Sequence, residues 1–202
     1  MADGSFASGG RAVISEDEAC AVHGLIGAYR CGLETDSGRA NRAGRATLPA
    51  VTVVIRRELL DSPAARALIA ALNAELLLRY PEEGATHFRL DVEEVVPGRG
   101  AFLIAWQGEV GIGCGAVRRI ERGVAEIKRM YVATAARGAG VGGRILAALE
   151  AEARALGMVR LLLEAGERQP EALALYRRAG FVEIPRFGPY VDSALSLCMG
   201  KT

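Results

Sequence analysis

The chain has 202 residues, of which 50% are hydrophobic and 24% charged, the balance of a globular protein somewhat longer than one ordinary domain. A formal net charge of +1 supplies no field to draw in nucleic acid or an anionic membrane, so any bound anion must be held by a local site. No apolar run approaches the ~20 residues of a membrane span, and the first ten residues, MADGSFASGG, lack the apolar core of a secretory signal.

Residues 1–50 differ in character from the rest. Ser15 and Glu18 have capping-box spacing ahead of an apolar stretch, which predicts a short helix over Ser15–Arg30. GLETDSGRANRAGRATLP follows, with little to bury, so the first fifty residues are expected to be a mobile extension. A regulatory arm docked on the domain is the alternative. From Val51 to Thr202 the pattern is that of a domain. VTVVIRRE is a β-branched run, and Ser62-Pro63 opens a helix in which Ala67, Leu68, Ala71, Leu72, Glu75 and Leu76 continue at helical spacing as far as Tyr80-Pro81. AFLIAWQG and VGIGCGAVRRI read as strands joined at Gln107-Gly108-Glu109, and VAEIKRMYV as a third. GGRILAALEAEARALG is an amphipathic helix closed by Gly157. VRLLLEAG is a buried strand, PEALALYRRAG a helix with proline at its start and glycine at its end, and FVEI and ALSLCMG two last strands. The order β-α-β-β-β-α-β-α-β-β predicts an α/β domain with a mixed sheet.

Arg137-Gly138-Ala139-Gly140-Val141-Gly142-Gly143 lies between a strand and a strong helix. Glycines there allow successive N–H groups to line one concave side, and the helix adds its unpaired first-turn N–H groups and partial positive charge. Together these suit a pyrophosphate, with Arg137 adding a full charge. Gly138, Gly140 and Gly143 also satisfy G-x-G-x-x-G, and Glu164 falls about twenty residues on, where a ribose-binding acid would sit in a dinucleotide fold. Against that, Ala133 to Arg137 separate the strand from the first glycine, and too little chain follows Glu164 for a doubly wound sheet. A turn that merely joins strand to helix is the bland reading.

Arg137, Gly140 and Gly142 stand in register with R/Q-x-x-G-x-G/A, the pyrophosphate loop of the GNAT acyltransferases. The strand EIKRMYV, the helix behind the loop and the later LYRRAGF occur in the family's order, so the chain resembles a bacterial GNAT N-acetyltransferase, most specifically from Val110 to Phe181. The resemblance implies a mostly antiparallel, V-shaped sheet flanked by helices and splayed between Glu126–Val132 and Val159–Leu163 to admit the pantetheine of acetyl-CoA. It also implies that Met130, Tyr131 and Val132 pair with the pantetheine amides, and that Arg137 to Gly143 hold the pyrophosphate.

Acetyl transfer to an amine needs a neutral nucleophile and a stabilised leaving thiolate, yet an alkylamine is mostly protonated at neutral pH. The resemblance points to Glu126 as general base; pairing with Lys128 or Arg129 is the other reading. Alternation along a strand places Glu126, Lys128 and Met130 on one face and Ile127, Arg129 and Tyr131 on the other. Lys128 would then hold a substrate carboxylate, or be a solvated charge. Tyr176 in LYRRAGF corresponds to the family's tyrosine that protonates the thiolate; packing beside Leu173 and Phe181 is its structural alternative. Arg186, Phe187 and Tyr190, in a proline-stiffened loop, border the acceptor pocket or form a rigid connection.

The cysteines (Cys20, Cys31, Cys114, Cys198) are dispersed, without a C-x-x-C pair, as expected for reduced thiols in the cytoplasm and no metal site. Cys114 and Cys198 fall in apolar strands without a neighbouring histidine, which favours direct transfer in a ternary complex over an acetyl-cysteine. His87 reads as a surface residue. The expected partner is a small-molecule amine, with neither nucleic acid nor membrane, and a homodimer is left open. A protein lysine or N-terminal acetyltransferase and a non-catalytic acetyl-CoA sensor are the competing functions.

Overall fold

The computed structural model describes residues 52–82 and 89–202. The extension through residue 50, its expected helix and His87 lie outside the described residues. Element order follows the sequence patterns: β1 (Val53–Arg57), α1 (Pro63–Arg79), β2 (Gly100–Gln107), β3 (Val110–Glu121), β4 (Val124–Val132), α2 (Val141–Ala155), β5 (Arg160–Gly166), α3 (Pro170–Arg178), β6 (Val182–Glu183) and β7 (Ser196–Lys201). Three 3-10 turns that the patterns did not signal occupy Val92–Glu94, Thr134–Ala136 and Gly188–Tyr190.

Among the described residues the strands form one seven-stranded sheet, ordered β1-β2-β3-β4-β5-β7-β6. Only β4 and β5 run parallel, because α2 carries the chain back across the sheet between them; the other pairs are antiparallel. One face, carrying Leu103, Val117, Ile127 and Leu163, is covered by Ile145 and Leu149 of α2 and by Leu173 and Tyr176 of α3. The approach is close, since a Cβ on Gly115 would lie 2.8 Å from both Leu149 Cδ1 and Met130 Sδ. The opposite face, with Phe102, Ile104, Cys114 and Ala116, is covered by Ala65 and Leu68 of α1. α1 starts where expected, with Pro63 in its first turn and Ser62 Oγ accepting the Ala65 N–H at 3.2 Å.

Two details of the sheet set up the site. Pairing of β4 with β5 runs only from Val124–Arg160 to Ile127–Leu163, so the strands part just beyond Ile127, within the expected splay. And β4 is not a regular strand. Its register against β3 passes from Ala116–Lys128 to Cys114–Tyr131, and Arg129 takes up the extra residue at φ 59°. This bulge corrects the simple alternation. Tyr131 shares the face of Glu126 and Lys128, whereas Met130 turns to the α2 face, where its sulfur meets the space beside Gly115.

Candidate active site

Past Ile127, the β5-facing edge of β4 has no partner strand, and the backbone of Met130 to Val132 borders a cleft. The cleft, of about 370 Å³, runs from these residues to Arg137, Gly138, Gly140, Val141, Gly142 and Gly143. Ala139 sits in the same turn, exposed. Gly138 and Gly140 have φ of 80° and 77°, left-handed conformations that a side chain would resist, and Gly140 is the N-cap of α2. The first-turn N–H groups of α2 have no intrahelical partner and open on this cleft, as an anion site requires. An unpaired strand edge leading to such a turn fits an extended amide chain ending in a pyrophosphate, which is what coenzyme A presents.

Arg137 is present but already engaged. Its Nε donates to the Val132 carbonyl at 2.9 Å, and Nη2 pairs with Glu75 of α1 at 2.5 Å. Glu75 also pairs with Arg79, which in turn meets Glu171 of α3, so an ionic strap crosses the cleft from α1 to α3. From the sequence Glu75 was named only for its helical spacing, and neither it nor Glu171 was expected at the site.

A second, smaller cavity of about 120 Å³ lies on the α1 side of the splay, bordered by Lys128, Arg129, Glu164, Tyr190, Ser193 and Ser196 among others. Tyr176 borders both cavities, together with Leu72, Leu76, Met130 and Gln169. Its ring is buried against Phe181 at 6.0 Å between centroids, so the expected core packing is present as well. Burial, and secondarily the Glu164 charge, push its phenol well above the ordinary value.

Glu126 does not border the cavity. It is 1% exposed, lies directly across from Arg118 on β3, and accepts hydrogen bonds from Arg118 Nε at 2.8 Å and from the Tyr190 hydroxyl at 2.7 Å. Lys128 Nζ stands 3.5 Å from the same carboxylate and donates to the Tyr190 oxygen at 2.7 Å. Arg118 reaches on to Glu94, whose 3-10 turn is closed by a capping box with Asp91. Burial lowers the Lys128 ammonium against the pull of Glu126, and burial with Glu126 raises the Tyr190 phenol. The anticipated pairing of Glu126 with a neighbouring cation is therefore what the fold contains, with Lys128 rather than Arg129 as the near partner and Arg118 as the close one.

The carboxylate that does border the cavity is Glu164, placed one residue past the last β4–β5 pair and accepting from Ser196 Oγ at 2.6 Å. The signal for it was a lone acid inside the apolar run LLLEAG. Of the three C-terminal loop residues expected at the acceptor pocket or in a rigid connection, Tyr190 borders the cavity. Arg186 is exposed and spends its donors on the Ser196 and Ala194 carbonyls, and Phe187 packs edge-on against Tyr190 at 5.3 Å. Phe187 thus backs Tyr190, and neither Arg186 nor Phe187 borders the cavity. Cys114 is inert filler, its thiol pushed up to about 12 by burial.

A splayed sheet, a glycine turn capping a helix and a tyrosine at the meeting of two cavities define an acyl-CoA-dependent transferase. The acetyltransferase (GNAT) family model matches residues 66–181. The chain is 40% identical over 155 residues to the IAA acetyltransferase of Azospirillum brasilense, covering 76% of this chain and 99% of that protein. It is 30% identical over 143 residues to the uncharacterized N-acetyltransferase YjgM of Escherichia coli (strain K12), covering 67% and 85%. A solved protein of Klebsiella pneumoniae subsp. pneumoniae MGH 78578, assigned to the acyl-CoA N-acyltransferases, superposes with a TM-score of 0.65 at 34% identity, over 75% of this chain and 97% of that one. The chain belongs to the GNAT acetyltransferase family and is an acetyl-CoA-dependent acyltransferase.

Proposed function

We propose that the protein acetylates a primary amine of a small molecule by direct attack within a ternary complex. The observation that carries this reading is the position of Tyr176, which borders both the coenzyme cleft and the small cavity. The cavity is walled by α1, β4, β5 and the 190–196 segment, which suits a small acceptor better than a polypeptide.

Acetyl-CoA supplies an activated acetyl group as a thioester. In this reading Met130 to Val132 and the Gly138–Gly143 turn orient it, and the chain manages two protons. The amine nitrogen bonds to the carbonyl carbon as the carbon–sulfur bond breaks; the amine proton passes to Glu164, directly or through a water, and the Tyr176 hydroxyl protonates the departing sulfur. A phenol raised above its ordinary value stays protonated at neutral pH and has a proton to give. Glu126, held by Arg118, positions Tyr190 and Lys128 instead of meeting the amine.

Tyr176→Phe tests the assignment. Its hydroxyl acts in the transition state, so turnover should fall by about 10²–10⁴-fold with acetyl-CoA affinity nearly unchanged. Measuring thiol release against a panel of amines, with calorimetry of coenzyme binding beside it, decides the matter. Full activity would return Tyr176 to a packing role.

A further inference from the structure

We infer that the acceptor is a small amino acid in zwitterionic form, its carboxylate held by Lys128 and Arg129 and its ammonium by Glu164. The inference deepens the proposed amine acetylation and rests on it. Adjacent residues of a regular strand point to opposite faces. Lys128 and Arg129 are adjacent, yet both border the cavity, because the bulge turns Arg129 toward α1, where its Nη1 donates to Asn73 Oδ1 at 2.8 Å. The arrangement is maintained at a cost, since φ 59° is a left-handed conformation that a non-glycine residue resists. Such strain gathers at sites where a side chain must be aimed.

Charge balance points the same way. Among the described residues, the charged side chains that border the cavity are two cations, Lys128 and Arg129, and one anion, Glu164. Behind them Glu126 pairs with both Arg118 and Lys128 and accepts from Tyr190, and Arg118 pairs in turn with Glu94. A plain ammonium would meet Glu164 but bring no anion to Lys128 and Arg129, whose charges burial disfavours. A zwitterion serves both: its anionic end meets Lys128 and Arg129, its cationic end meets Glu164, and Ser193 and Ser196 complete the wall. The small volume limits the side chain that can accompany the two charged groups.

The test uses the full chain, acetyl-CoA and matched pairs: short amino acids, their primary amides and their decarboxylated amines. The acids should exceed their partners in kcat/KM by about 10- to 100-fold, the usual effect of losing a hydrogen-bonded charge. Lys128→Met and Arg129→Asn, the latter chosen because asparagine accepts a positive φ, should each draw that ratio toward one, mainly through KM. Calorimetry of N-acetyl amino acids against N-acetyl amides on the CoA-saturated wild-type protein reads the same preference without turnover or variants. Amines and amides acetylated as well as acids would overturn the zwitterion and leave amine acetylation standing. Thiol release from none of the amines would remove both. Equal product affinities would likewise overturn the carboxylate site.

Discussion

Glu126→Gln separates a buried anchor from a catalytic base more sharply than any other substitution here. Glutamine keeps the shape but removes the charge that Arg118 meets at 2.8 and 2.7 Å and Lys128 at 3.5 Å. Arg118 retains Glu94, so the loss is smaller than for an isolated buried pair. Breaking such a pair costs about 3–5 kcal/mol, and with one counter-charge retained we expect about 3 kcal/mol. For a chain of this size that lowers Tm by about 6–12 °C. The Lys128–Tyr190 contact should loosen with it, raising KM for the acceptor while leaving the pH dependence of kcat in place. A general base predicts otherwise: stability nearly kept, turnover down about 10²–10⁴-fold, and partial recovery at high pH as the amine deprotonates unaided. Thermal melts followed by circular dichroism, with thiol release measured from pH 6 to 9.5, distinguish the two. A stable variant whose lost turnover returns with pH would refute the anchor and restore Glu126 to the chemistry.

Gly140→Val should weaken coenzyme binding by at least 10-fold, because a β-branched residue resists φ 77° at the cap of the anion-binding helix; unchanged affinity by calorimetry would sink the loop assignment. Gly166→Ala should destabilise the fold, since its Cβ would lie 2.0 Å from the Tyr80 oxygen that accepts the Arg168 N–H, and chemical denaturation should show a loss of about 1–3 kcal/mol. Burial lowers the Lys128 ammonium below its ordinary value, so the unfolded chain binds more protons between the folded and unfolded values. Wild-type stability relative to Lys128→Met should therefore rise with pH as it approaches about 10, the ordinary lysine range; a flat or falling difference in Tm over pH 8–10 would contradict that sign.

The geometry proposed to hold the coenzyme was legible because its determinants are local. The open strand edge, the glycine turn and the helix start lie within Met130–Gly143, and each depends on the conformation of its own few residues. The proposed role of Tyr176 likewise rests on a local motif, LYRRAGF. The acceptor side was not legible, and the bulge explains much of it. Whether Tyr131 or Met130 faces Lys128 depends on how β4 registers against β3, a property of two strands that no alternation within β4 encodes. The Glu126 anchor has the same character. Tyr190 lies 64 positions away, and Arg118 stands opposite only because the β3–β4 hairpin pairs them directly. Glu164 could be read from the chain only as an acid in an apolar strand or as the ribose-binding acid of a dinucleotide fold, which this chain does not have. Its meaning comes from sitting one residue past the point where β4 and β5 separate, which follows from the packing of α2 and α3 beneath the splay. A diphosphate site can be built from one turn and one helix end, whereas recognition of a small charged acceptor needs opposed walls. In the proposed reading those walls are the cavity-lining residues of α1, β4, β5 and the segment before β7, brought together by the sheet order itself.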